Sequence, residues 1–173
     1  MTKVRDVLIP RAPGFRHLVE YAIREDGTQP AKDFLMNLKA DAWPDHVVGK
    51  VDPDARAAPL YYQFVVRLKH LARTGKPASG TYCNWLPDGL WEAKADSLRI
   101  PFFDVDKNGN HTKKLRITDR RVVDPNNENE DWKFPTWDTV LRLTHGFPKT
   151  GPTTEESEID LAMDIREEDL RDE

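Results

Sequence analysis

The stretch Leu143-Thr144-His145-Gly146-Phe147-Pro148-Lys149-Thr150 closes an apolar segment and leads toward an acidic tail. Before it, Leu141, Leu143 and His145 fall in one phase and Val140, Arg142 and Thr144 in the other, which is the period of a half-buried strand over residues 139–145. An imidazole then stands at the strand exit, with the ammonium group of Lys149 close behind it. A strand that ends in chemistry-bearing side chains is where a site is sought.

Working upstream, Gly89-Leu90-Trp91-Glu92-Ala93-Lys94 and Leu98-Arg99-Ile100-Pro101-Phe102-Phe103 read as two further strands, turned by Asp96-Ser97 into a hairpin. Lys94 and Arg99 then face each other across it. Residues 15–25, with Leu18, Val19, Tyr21 and Ile23, predict a first strand stopped by Asp26-Gly27. Thr28 and Pro30 open a helix carrying Phe34, Leu35 and Leu38 that fades before Pro44. Over residues 55–73, Ala57, Leu60, Tyr61, Phe64, Val65, Leu68 and Leu71 share one helical face, stopped by Gly75 and Pro77. A last helix is expected from Thr153, which with Glu156 has capping-box spacing, along a thin stripe of Ile159, Ala162, Met163 and Leu170.

The order is strand, helix, helix, hairpin, strand, helix: an α+β pattern forming a single domain over residues 1–173. Only residues 105–138 stand outside it, as an insertion with a short strand expected over 115–123 and a loop-like run over 124–131.

Composition narrows the function classes. At 173 residues the chain suffices for one hydrophobic core, and 38% hydrophobic with 32% charged residues describes a polar globular domain. The apolar run Val7-Leu8-Ile9 is too short for a signal peptide, so a cytoplasmic protein without membrane association is expected. The single cysteine, Cys83, excludes an internal disulfide, and zinc spacing is lacking.

The net charge of −4 averages two unlike parts. From Thr153 onward ten acidic residues meet only Arg166 and Arg171, giving −8; the preceding 152 residues carry 24 basic and 20 acidic groups, giving +4. An acidic helix over residues 153–173 thus follows a mildly basic body, and one reading makes it a brake lying over a basic site. The other makes it a solubilising helix.

Several motifs carry chemistry. Asp104-Val105-Asp106-Lys107-Asn108-Gly109-Asn110 imitates the opening of a calcium loop, but Leu115 occupies the position that needs a bidentate Glu, so a turn with Asn108-Gly109 at its tip is expected and no metal. Lys94 and Arg99 are placed to hold one anion, Arg99 through a planar fork suited to phosphate; otherwise they are solvated strand residues. His145 is a proton-transfer candidate, or a partly buried histidine bonded to backbone. Lys149, expected beside a helix N-terminus where free amides favour anions, is a second clamp or a solvated loop lysine. Trp85, Trp91, Trp132 and Trp137, the latter pair flanking Lys133, are able to stack on unpaired bases or to fill the core.

The segments 89–94, 98–103 and 143–150 together resemble the phage-derived branch of the HigB/RelE toxin family, whose members commonly read GLWELR, then RIFYF, then LLHGF-KKT. The resemblance implies a small antiparallel-dominated sheet with two N-terminal helices packed on it and a C-terminal helix. It also implies the toxin of a type II toxin–antitoxin pair, held by an antitoxin protein. Such a toxin is an endoribonuclease that cuts mRNA, often on the ribosome, without metal or cofactor. On this reading Arg99, Lys94, His145 and Lys149 are catalytic, and Trp91, Trp132, Lys133 and Trp137 bind RNA. Relatives of this fold that inhibit gyrase instead imply an alternative, a non-nucleolytic binding module. The chain departs from the family pattern at Lys94, where arginine is usual, at Pro101 inside the arginine-bearing strand, and in its acidic terminal helix. No tyrosine or histidine follows His145.

Overall fold

Two amphipathic helices begin the core. The computed structural model describes residues 3–114 and 134–171, and in it α1 spans Pro30–Lys39 and α2 spans Ala58–Thr74. Leu60, Tyr61, Phe64, Leu68 and Leu71 of α2 are buried, as the spacing predicts, together with Phe34, Leu35 and Leu38 of α1. Gly75 ends α2 in the left-handed region at φ +83°, its N–H donating to Leu71 O, a conformation that glycine adopts without strain.

These helices cover one face of a mixed sheet. Its strands are β1 (Val7–Ile9), β2 (Leu18–Tyr21), β3 (Cys83–Trp85), β4 (Trp91–Ala95), β5 (Leu98–Val105), β6 (Val140–Leu143) and β7 (Phe147–Pro148). The spatial order is β1-β2-β6-β5-β4-β3, with β7 also paired to β5. Every pairing is antiparallel except β2 with β6, which run parallel. The fold class is therefore α+β with a mixed sheet. The strand expected over residues 15–25 is β2, shorter at four residues, and the edge strands β1 and β3 carry too few apolar alternations to be read from sequence. The hairpin turn at Asp96-Ser97 is as expected, Asp96 taking φ +53° so that Ala95 pairs with Leu98.

All eight residues of β5 are buried, because both faces of the sheet are covered. Leu98, Ile100 and Phe102 point into the main core with α1 and α2. Phe103 and Val105 point the other way, into a second cluster with Ala22, Leu86 and Leu90, closed by Ala162 and Ile165 of α3 (Glu156–Leu170).

The acidic helix is thus packed into the fold, which corrects the reading of a solubilising helix facing water. Asp169 accepts from Arg142 Nη1 at 2.7 Å, Arg5 Nε at 2.7 Å and the Ile23 backbone N–H at 2.9 Å, while Glu168 pairs with Arg24. Arg166 donates to the carbonyl and carboxylate of Asp88. The helix also starts later than expected. Its N-cap is Glu155 without a side-chain cap bond, and the capping box from Thr153 to Glu156 does not form.

In the insertion, the Asp106 carboxylate accepts from the N–H groups of Asn108 and Asn110, and Gly109 sits at φ +82°, so the calcium-like motif closes as a turn on itself. The strand expected over 115–123 and the loop over 124–131 lie outside the described residues. No helix among the described residues is long and apolar enough to cross a membrane.

Candidate functional site

The site begins with a bulge. Leu143 pairs with Phe102 and Phe147 with Arg99, so four steps along one chain oppose three along the other. Thr144 and His145 together oppose Pro101, whose carbonyl accepts from Thr144 N–H at 2.9 Å and from Thr144 Oγ1 at 3.0 Å. The irregularity opposite Pro101 lies on the neighbouring strand segment rather than on β5.

One extra residue reverses the phase of everything after it. Gly146 falls on the core side, where a Cβ would lie 2.2 Å from the Phe34 ring. Phe147, level with Arg99, and then Lys149 come to the α3 side. Without the bulge Lys149 would share the phase of Leu143 and face the core.

Three cations consequently meet on one face of the sheet. Lys94 and Arg99 are register partners across β4 and β5, and both Arg99 and Lys149 act electrostatically on the Lys94 ammonium. Partial burial chiefly, then those two cations, push the Lys94 pKa below its ordinary value, while Glu92 opposes them. Arg99 is only 7% exposed, and its Nη1 donates to Asp96 O at 2.6 Å and Leu98 O at 2.9 Å. Burial lowers its pKa too, against the pull of Glu92 and Asp96. Its Nε has no hydrogen-bond partner and stands 3.8 Å from Glu92 Oε1. Arg99 therefore forms the wall of the site, and the more open Lys94 and Lys149 form its reach.

Glu92 is the residue that sequence reasoning missed. Buried on β4, it accepts from Thr154 Oγ1 at 2.8 and 3.0 Å and from Asn84 Nδ2 at 3.1 Å, while Asn84 Oδ1 accepts from Lys94 Nζ at 3.4 Å. This network ties the lead into α3 to the sheet beside the cations. The alternation of Glu92 with Lys94, both on the face opposite Trp91 and Ala93, was the available signal.

His145 does not join them. The bulge carries it to α3, where its Nε2 donates to Glu158 Oε2 at 2.9 Å, its Nδ1 lies 3.1 Å from Thr144 Oγ1 and its ring stacks on Phe147. The imidazole is 5% exposed with both nitrogens engaged by side chains, so of the two readings the partly buried one holds, with side chains in place of backbone as its partners. Lys149 is likewise not at a helix mouth. Helix α3 starts seven residues later, at Glu156, with acidic groups in its first turn.

Beside the cations lies a cleft of about 420 Å³ between β3–β4 and the segment leading into α3, lined by Asn84, Trp85, Leu86, Glu92, Lys149 and Ile159 among others. Trp85, on the edge strand, is 41% exposed at its rim. Trp91 and Trp137, expected as base-stacking candidates, are instead core residues at 1% and 3% exposure, packed edge to face with centroids 5.2 Å apart. Enclosed rings offer no face to a base. Trp132 and Lys133 lie outside the described residues.

The arrangement concentrates the positive charge of Lys94, Arg99 and Lys149 on one face of the sheet, with the Lys94 pKa lowered by burial and by the other two cations. The sequence matches no family model, and no curated protein matches it.

Proposed function

We propose that this chain is a metal-independent endoribonuclease of the RelE/HigB kind, the toxin of a type II toxin–antitoxin pair. The observation that carries this reading is the meeting of Lys94, Arg99 and Lys149, from three separate segments, on one sheet face beside an open cleft. An RNA phosphodiester presents the matching anion. Two helices on one sheet face and a third on the other accord with the architecture that the motif resemblance implies.

In the proposed reaction the 2′-oxygen attacks the adjacent phosphorus and the bond from phosphorus to the 5′-oxygen breaks. A cyclic 2′,3′-phosphate and a 5′-hydroxyl result. Lys94 and Lys149 neutralise the charge that builds on the phosphate oxygens, and Arg99 supports them from the wall. Solvent water takes the 2′-hydroxyl proton, and the Lys94 ammonium gives one to the 5′-oxygen and regains it from solvent afterwards, whereas His145 is held by Glu158. The partners on this reading are an antitoxin protein and mRNA, with the ribosome as the natural setting, in the cytoplasm.

The pairing of His145 with Glu158 favours one second reading, a binding module of the same fold that arrests growth without cutting RNA. Induced expression of wild type and a Lys94→Ala/Lys149→Ala variant, scoring growth and RNA ends together, separates the two. Growth arrest with new 5′-hydroxyl ends, lost in the variant, supports the nuclease. Arrest with intact RNA supports the binding module.

A further inference from the structure

Two exposed helix ridges of opposite charge lie on opposite sides of the sheet. Helix α2 holds no acidic residue, and Tyr62, Val66, Lys69 and Arg73 are exposed along it at helical spacing. Helix α3 holds seven acidic residues and one base, Arg166, which turns inward to Asp88. Glu158, Glu168 and Asp169 are bound by His145, Arg24 and Arg142, whereas Glu156, Asp160, Asp164 and Glu167 are exposed in one line. Like charges one turn apart repel, and acids near a helix C-terminus oppose its dipole; a cationic partner relieves both. That partner is not the chain's own α2, because the two helices pack on opposite faces of the sheet. We propose that α2 of one molecule docks antiparallel on α3 of a second copy of this chain, a pairing independent of the nuclease reading.

The spacing of the two ridges fixes the register. Aligned antiparallel, Arg73 falls level with Asp160, Lys69 with Asp164 and Tyr62 with Leu170, and Val66 comes between Met163 and Leu170. Met163 and Leu170 line a groove of about 450 Å³ beside Glu167, while Tyr62 and Val66 stand 57% and 67% exposed. The apolar end of one ridge thus meets apolar side chains, and its basic end meets acids. The groove along α2, about 620 Å³, is walled by Arg67, whose guanidinium lies 3.8 Å from the Tyr82 ring centre and donates to Lys94 O at 2.8 Å. Antiparallel docking also opposes the two helix dipoles. Because the two surfaces differ, the contact is heterologous, and each added copy leaves one ridge open.

The test is sedimentation velocity of the full chain over a range of concentrations in low and high salt. Wild type should pass from the 19.9 kDa monomer to larger species as concentration rises, and about 1 M salt should return it toward monomer. Lys69→Ala/Arg73→Ala and Asp160→Ala/Asp164→Ala should each weaken association about tenfold with an unchanged melt, the substituted groups being exposed. Tyr62→Ala should weaken it about as much at either salt. An equimolar mixture of the two charge variants should give a 1:1 dimer that grows no further, because one intact ridge of each kind remains. Wild type that is monomeric at every concentration, association that survives both variants, or a mixture no better than its components overturns the docking. A monomer that binds polyglutamate through Lys69 and Arg73 overturns the second copy and gives the ridge to an acidic segment of a different protein.

Discussion

Phe147 stands opposite Arg99, one residue further along the chain than unbroken pairing from Leu143 and Phe102 would bring it. That single step sends Lys149 to the face of Lys94 and Arg99, swings His145 to Glu158 and leaves Gly146 against Phe34. The site is a consequence of strand register.

Gly146 should be intolerant of any side chain. A Cβ placed 2.2 Å from the Phe34 ring meets an aromatic in a filled core, so Gly146→Ala should cost about 1–3 kcal/mol or more and lower Tm. Phe34→Leu in the same chain should return part of that loss, and a thermal melt of the single and double variants measures the coupling. Independent, additive losses would refute the contact.

Asp169 should act as a structural anchor. Its side chain is fully buried between Arg5 and Arg142, so Asp169→Ala leaves the Arg142 guanidinium with Glu20 alone and should cost about 3–5 kcal/mol. Removing residues 154–173 should be worse still, because Phe103 and Val105 lose Ala162 and Ile165. Dye binding to exposed apolar surface and loss of a cooperative urea transition are the readouts.

Arg99 and Lys149 should separate stability from binding. Lys149→Ala should leave Tm nearly unchanged, weaken RNA binding and reduce the salt slope by about 0.7 for a single strand. Arg99→Ala removes a buried side chain that bonds two carbonyls, so it should lower Tm as well as activity. Parallel melts and salt titrations distinguish them.

Lys94 should impose a pH limit on binding. Burial and its neighbouring cations hold its pKa below 10.5, so its charge, and with it part of the RNA affinity, should fade at lower pH than an exposed lysine allows. Lys94→Arg should keep binding across that range. Stability runs the opposite way: between the lowered value and 10.5 the unfolded chain holds more protons, so folding should strengthen as pH rises through this window. The arginine variant should lack that rise.

Much of the frame was legible along the chain. The faces of α1 and α2, the hairpin at Asp96-Ser97 and the pairing of Lys94 with Arg99 follow from periodicity and turn chemistry, which act over a few residues. The edge strands β1 and β3 were not, being short segments defined by their partners. Trp91 and Trp137 show the same boundary: a tryptophan near polar sequence reads alike whether it stacks on a base or on another tryptophan. Glu92 was passed over because its partners, Thr154 and Asn84, are distant or unremarkable in sequence.

By itself the sequence determined which residues carry charge, where helices and the hairpin form, and that an imidazole and an ammonium group follow the last long strand. Only the tertiary structure decided which of them meet. A strand alternates strictly, so one extra residue opposite Pro101 exchanges the faces of all that follow, and no local pattern records which residue of the neighbouring chain is the extra one.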